Sequence, residues 1–580
     1  MLNGNRVLQT YTVQHVVAIS LPDDGKVVAA PSAVTHLPLM NDVLRITVIV
    51  GKKWNGSIIV KIDFKDEKTW DLYKEGRTKG IFQLESQLGK TWSKRLQPRN
   101  LEELSALIAI IRPGTLKAIQ DGKSMTWHYV DRKHGRDPVA YYHPALEPIL
   151  NRTQGVLVYQ EQAMKIATEL AGFNMKEADE LRKAIGKKKA DVMAKVRIKF
   201  IDGCDKMGIV SVSEAQEIFN GIEKSARYSF NKSHSVSYAV NSYWSAWYKA
   251  NYTKEYFLSL LYFAHEKQDP HREIYEVVSE AKLFDIEVKV PNLKNFSRKF
   301  EWKNDKIYFG IKDMKSLAGI TGDKAIVSIQ EAAAISRKNV GDFNWMDVLV
   351  YLSPVINSIG FKTLASVGFF STETTNITRN RALYEYLIFK NLTATEEKWV
   401  IENYPRRQWA TLKACLTDLA PTKKEGGGTS KADRSEKVKN EIHFIDNPPY
   451  DLDDDPQWII DQEVKFLGCP LSLARVEVVD TSAANTSCKD ILNGKWGENI
   501  AVIANIARLG TYKTKKGKNA GEDMAFLTLE DESCSIDSCV VFPEAKKKYD
   551  YLLYEGANLM FVGEVTKLDN SFIIQKIHEI

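Results

Sequence analysis

The chain has 580 residues, 44% hydrophobic and 27% charged, with a net charge of +6. That is enough apolar content for three or four cores and too balanced a charge to mark a bulk polyanion binder, so function has to rest on local patches. The six cysteines (Cys204, Cys415, Cys469, Cys488, Cys534, Cys539) have neither zinc-ribbon spacing nor the density of a secreted disulfide scaffold. Met1 to Gln14 is polar, and no apolar run approaches the ~20 residues of a membrane span, so a cytoplasmic chain without a membrane partner is expected.

In chain order, 13–20, 43–51 and 57–64 read as short strands between Pro, Asp and Gly turns, part of a sheet rather than a whole domain. From residue 69 the period becomes helical, with apolar residues three and four apart over 101–111, 160–171, 176–185 and 213–224, inside a helical region of about 70–265. A mixed segment follows over 270–375, with a small hairpin at 300–310 and helix pairs at 310–334 and 354–370 bent at glycines. Residues 376–460 read as a helical stretch and a linker. Within them, 421–440 has the Gly, Lys and Ser content of a flexible polar linker. Five carboxylates between Asp446 and Asp455 suit either a cation or a solvated connector, and the prolines around them favour the connector.

The last stretch alternates apolar and polar residues in five runs, 500–507, 524–529, 535–541, 559–566 and 571–577, with a helix at 543–554 between the third and fourth. Three strands, a helix and two strands is the order of an OB-fold barrel. Its first loop carries Lys513, Lys515, Lys516 and Lys518 beside Tyr512. Those lysines fit either single-stranded nucleic acid or a solubilising hairpin tip.

Two segments carry the chemistry. Phe230-Asn231-Lys232-Ser233-His234-Ser235 sets a compact cation among directional hydrogen-bonding side chains, and 181–199 holds eight Lys or Arg against a single acid, Asp191. Each alone fits a solvated helix end, but the pair suits a polyphosphate-bearing substrate. The aromatics after this cluster, from Tyr243 to Phe257, have the spacing of helix packing, with Tyr238 kept as a candidate contact to nucleotide. Phe82 to Ser86 fits a buried, hydrogen-bonded structural turn as well as a substrate contact.

Taken together, Gly80-Ile81-Phe82-Gln83-Leu84-Glu85-Ser86, Ile111-Arg112-Pro113-Gly114, Asp131-Arg132-Lys133-His134-Gly135, Tyr159-Gln160-Glu161-Gln162, 181–189 and 230–235 closely resemble, in order and spacing, the fingers of the C-family replicative polymerases, the bacterial DNA polymerase III alpha subunits. Gly310 to Lys315 resembles the start of that family's helix-hairpin-helix region, and Phe466-Leu467-Gly468 with Pro470-Leu471 its lead-in to the OB domain. The resemblance implies a multidomain α+β chain: a partial palm-like segment at 1–68, helical fingers at 69–268, a hairpin and helix-hairpin-helix region at 269–375, and an OB-fold domain with its lead-in at 461–580. It further implies a DNA-directed DNA polymerase component that binds primer-template DNA and deoxynucleoside triphosphates with Mg2+. Arg182, Lys183, Asn231, Lys232, Ser233 and His234 are then the nucleotide-binding candidates, and Lys187, Lys188, Lys189, Lys513, Lys515 and Lys516 the DNA-binding ones.

The resemblance breaks at the catalytic carboxylates. The family's palm places two aspartates in a Pro-Asp-x-Asp-x-Asp strand, whereas Pro22-Asp23-Asp24 lacks the alternation that puts both on one face. Val60-Lys61-Ile62-Asp63-Phe64 matches part of the strand that carries the third aspartate, so Asp63 is either a catalytic metal ligand or a residue in the approach to the fingers. One aspartate cannot assemble a two-metal site. The expectation is the C-terminal part of a split or truncated polymerase whose partner, an N-terminal polymerase fragment, supplies the palm carboxylates; the alternative is a non-catalytic DNA-binding remnant or accessory subunit. The family's sliding-clamp peptide is not evident in 376–460, and Gln462 to Phe466, which has a passing likeness to it, reads as the start of a strand.

Overall fold

The computed structural model describes residues 62–187, 190–226, 228–514, 520–566 and 570–580, with the backbone alone of four short strands nearer the start and of the helix ends at 186–187 and 190–191. It divides into two compact units, 1–256 with 566–571 and 257–565 with 572–580. The four strands, Arg6–Val7, Val17–Ser20, Val28–Pro31 and Val48–Val50, form a sheet in the order first, fourth, second, third. The strand expected at 57–64 does not run through its described residues. Residues 57–61 lie outside them, Ile62 and Asp63 are irregular, and Phe64 and Lys65 turn. Local bonds replace the ladder: Asp63 Oδ1 accepts the Lys65 N–H at 2.9 Å and the Phe64 carbonyl accepts the Trp70 indole N–H at 3.0 Å.

The helices of the first unit that matter here are α1 (Glu67–Glu75), α2 (Gln87–Leu96), α3 (Leu101–Ile110), α4 (Met125–Lys133), α5 (Gln160–Ala171), α6 (Met175–Lys187), α7 (Ala190–Met207), α8 (Val212–Ser225) and α9 (Lys232–Asn251). Ser86, Asn100, Ser124, Ser211 and Asn231 cap their helices with side-chain oxygens, each worth about 1 kcal/mol. The apolar stripes of α5 to α8 close one core around Leu170, Leu181, Phe200 and Phe219. Helix α3 is buried from Leu104 to Ile110, and α9 is tied to it where Ser235 Oγ donates to the Ser105 carbonyl at 2.6 Å.

Lys249, at 0% exposure, is the deepest cation of this unit's described residues. Its Nζ donates to the carbonyls of Arg77 and Lys79 at 3.1 and 2.8 Å, the Tyr256 hydroxyl to the Gly80 carbonyl at 2.8 Å, and Thr78 Oγ1 to the Leu84 carbonyl at 2.6 Å. The 77–84 turn is therefore held by buried side chains. Gly80 and Gln83 take positive φ of 76° and 66°, which leaves Phe82 half-buried on the outer side of the turn.

In the second unit the expected hairpin is present as Glu301–Lys303 paired antiparallel with Lys306–Tyr308, to which Val288–Lys289 adds a parallel strand. The polar stretch 421–440 is not a flexible linker. It is a tight turn running into the helix Ala432–Asp446. Its glycines serve close packing: a Cβ on Gly427 would stand 1.9 Å from the Pro421 carbonyl oxygen, and one on Gly428 2.4 Å from Leu419 Cδ1.

The acidic stretch caps helices. Asp454 accepts the Arg379 and Asn380 N–H groups at 2.9 Å each, Asp455 accepts from Trp458, and Asp446 pairs with Lys413. Gln462 to Phe466 is not a strand start but part of the helix Pro456–Leu467. Glu463 there is fully buried and satisfied by Arg379 Nη2 at 2.8 Å and the N–H groups of Leu471 and Ser472, the hydrogen bonding that a buried pair requires.

The chain closes into a five-stranded barrel, Ile500–Lys513, Asp523–Glu530, Ser535–Val541, Asn558–Val565 and Phe572–Glu579, in the spatial order first, second, third, fifth, fourth. The third and fifth strands are parallel and the helix Pro543–Tyr549 lies between the third and fourth in sequence, the connectivity expected of an OB-fold. All six cysteines are buried free thiols, and burial pushes that of Cys204 up to about 11. Among the described residues no helix is long and apolar enough to cross a membrane.

Candidate functional site

The Phe230 to Ser235 segment enters α9 across a short parallel bridge. Phe230 N–H donates to the Val158 carbonyl and Gln160 N–H to the Phe230 carbonyl, both at 2.9 Å. Asn231 caps α9, its Oδ1 accepting the His234 N–H and the Ser233 hydroxyl at 2.8 Å each. Its Nδ2 donates to Glu161 Oε1 at 2.8 Å, while Glu161 Oε2 accepts the Lys232 backbone N–H at 2.9 Å. The Lys232 ammonium reaches Glu102 Oε1 at 2.7 Å, across 130 residues of sequence, and lies 5.3 Å from the centre of the Tyr159 ring.

The other side of the segment is aromatic. The Arg112 guanidinium sits 3.6 Å over the Phe230 ring, and rings follow in series: Phe230 to His234 at 5.5 Å, His234 to Tyr238 at 4.1 Å, and Tyr238 to Phe82 at 5.1 Å. Partial burial, then the nearby Arg112 charge, hold the His234 imidazole below its ordinary pKa, so it is largely neutral at pH 7. Four successive residues thus present an ammonium, a hydroxyl, an imidazole and an amide at one helix start, where backbone dipoles also favour an anion.

Arg182 and Lys183 are placed differently. Both are bound to Asp179 on their own helix, Arg182 at 2.7 Å and Lys183 at 2.8 Å. Further along the same basic stretch, Arg197 pairs with Glu223 and Lys199 with Glu177. Asp179 and Glu177, which the 181–199 count leaves out, lie just before that window, and Glu223 comes from α8. The side chains of Lys187, Lys188 and Lys189 lie outside the described residues.

Asp131 to Gly135, quoted above only as a motif, is a structural tie. Asp131 accepts from Lys123 and Arg136, each at 2.8 Å, and Lys133 Nζ donates to the last carbonyls of α2, those of Leu96 and Gln97. Burial works to raise the Asp131 carboxyl, but the two cations outweigh it and hold it below the usual range.

Asp63 is exposed in the approach to α1, where its backbone carbonyl accepts the Tyr243 hydroxyl at 2.6 Å. Among the described residues no group of three or more His, Cys, Asp or Glu is arranged to hold a metal ion. On the barrel, Lys513 pairs loosely with Asp523 at 3.5 Å, and Lys515 and Lys516 lie outside the described residues. Tyr512 gains a partner that sequence alone misses: Phe526 on the next strand, edge-on at 5.4 Å, both rings exposed.

Residues 40–208 match the model of the bacterial DNA polymerase III alpha subunit finger domain. Over 528 residues the chain is 32% identical to the DNA polymerase III subunit alpha of Aquifex aeolicus, 89% of this chain and 39% of that protein. It is of the bacterial DNA polymerase III alpha type. The subunit of Bacillus subtilis is 31% identical over 532 residues, 90% of this chain and 42% of that one, and that of Deinococcus radiodurans 38% over 291 residues, 49% and 21%. The chain thus spans about two fifths of the length of the first two of these polymerase III alpha relatives.

Within this polymerase III alpha-type chain, Glu102, Arg112 and Glu161 are the site residues that sequence reasoning does not single out. Glu161 and Arg112 stand inside quoted motifs, and a first-turn acid followed 70 residues later by a helix cap has no local signature. Glu102 meets Lys232 only through the packing of α3 on α9.

Proposed function

We propose that this chain is the nucleotide- and DNA-holding part of a DNA-directed DNA polymerase, working with a partner chain that supplies palm aspartates. Asn231, Lys232, Ser233 and His234 face the triphosphate of an incoming deoxynucleoside triphosphate, and Arg182 and Lys183 join them by releasing Asp179. Their task is positioning and charge neutralisation: holding the phosphates while the primer 3′ hydroxyl attacks and pyrophosphate leaves. Lys187, Lys188 and Lys189 contact the primer-template backbone, and the barrel, through Tyr512, Phe526 and Lys513, Lys515 and Lys516, holds single-stranded template. The single observation that carries this assignment is the succession of donor side chains at the start of α9, flanked by Arg112.

The described residues do not fit a two-metal centre. Mg2+ is therefore assigned to the partner's carboxylates, with Asp63 as the candidate from this chain. That same lack of a carboxylate cluster favours a second reading, a non-catalytic DNA-binding accessory. Primer extension by the purified chain, alone and with an N-terminal polymerase fragment, separates the two. Extension by the mixture, lost in Lys232→Ala, supports the polymerase; intact DNA binding with no extension by chain or mixture overturns it. If Asp63→Asn leaves the reconstituted rate unchanged, Asp63 has no metal role.

A further inference from the structure

The donors that a triphosphate would use at the start of α9 are already engaged by two carboxylates of the same unit, and the two are bound differently. Glu161 holds one backbone N–H and one side-chain amide in a fork closed at both oxygens, 2.8 and 2.9 Å. Glu102 holds only the mobile end of Lys232, at 2.7 Å, in a pair whose partners are 35% and 31% exposed. Both acids sit in the first turns of their helices, where the macrodipole favours negative charge.

We infer that Glu102 is a displaceable stand-in for phosphate: it parks the Lys232 ammonium over the Tyr159 ring until a nucleotide's triphosphate takes its place, while Glu161 is the fixed clamp that orients the cluster. The inference rests on the nucleotide assignment above. It makes Glu102 a positioning residue that acts through Lys232 and sets a threshold: an anion must compete with a carboxylate already in place. A single phosphate competes poorly, because it brings little more charge than the carboxylate it displaces. A triphosphate gains further contacts at Ser233 and His234.

The test uses the full chain with two readouts. Titration calorimetry with a deoxynucleoside triphosphate and with inorganic phosphate gives affinity; acetylation by acetic anhydride, read at Lys232 by peptide mass spectrometry, gives its availability. Removing an exposed pair of this kind with Glu102→Gln is expected to tighten triphosphate binding about two- to five-fold and to speed acetylation of Lys232. Saturating triphosphate should slow that acetylation in both proteins, and Glu102→Asp should return both readouts toward wild type. If Glu102→Gln leaves triphosphate affinity unchanged or weaker, or leaves Lys232 acetylation unchanged, the inference is overturned while the nucleotide assignment stands. Triphosphate binding by neither protein overturns the assignment and the inference with it.

Discussion

Two segments of the helical unit that both suit phosphate as strings of residues are paired differently in the structure. In 181–199, Arg182 and Lys183 are neutralised by Asp179 within a helical turn, an arrangement that any exposed helix makes and that contributes little to stability. Lys232 and Asn231 are met by Glu102 and Glu161, on two other helices, so the Lys232 ammonium is paired and the Asn231 amide hydrogen-bonded only if α3, α5 and α9 are packed together. Charge density therefore misleads here. Arg182 and Lys183 belong to a surface paired within its own helix, whereas Lys232 belongs to a site assembled from three helices.

The sharpest way to break this contrast is Glu161→Ala. It removes the acceptor of two bonds made to a charged group and leaves Asn231 Nδ2 and the Lys232 N–H unpaired, so a stability loss of about 2–3 kcal/mol is expected by urea denaturation. Arg112→Ala should cost about 1 kcal/mol in the same assay through its loss from the Phe230 face.

Arg112→Ala should also move the His234 titration, followed by NMR of labelled histidine, upward toward its ordinary value. The sign follows from the native shift: His234 is lowered by burial and then by Arg112. Its neutral form supports the fold above the unfolded value, and that support is lost as pH falls through the lowered native one. The variant should narrow that window. Smallest of all, Asp179→Asn should leave the denaturation midpoint unchanged while raising the salt dependence of triphosphate binding, because it frees Arg182 and Lys183 without disturbing any packed element. A midpoint shift in Asp179→Asn as large as that of Glu161→Ala would erase the contrast.

Much of the fold is legible because its signals are local. The period of 160–171 coincides with Gln160–Ala171, the run 535–541 coincides with its strand, and the other four runs of the barrel end within six residues of theirs. The exceptions have physical causes. Glycines read as flexibility at 426–428, yet Gly427 and Gly428 are there because backbone and Trp399 pass too close for a side chain. Gln462 to Phe466 reads as a strand start by its position at the OB lead-in, but it is helical, and its Glu463 is buried against Arg379, a partner more than eighty residues away. The candidate site was legible as a motif, Asn231 to His234, and not as a geometry. Its carboxylate partners declare themselves only when three helices meet.

The account stands or falls on whether the start of α9 binds nucleotide. The direct measurement is the dissociation constant of a deoxynucleoside triphosphate for the purified chain, compared between wild type and Lys232→Ala, with thermal melts confirming that both are folded. At least ten-fold weaker binding in the variant, the loss of about 1.4 kcal/mol of charge-assisted contact, is the result predicted. Equal affinity in the two folded proteins would contradict it.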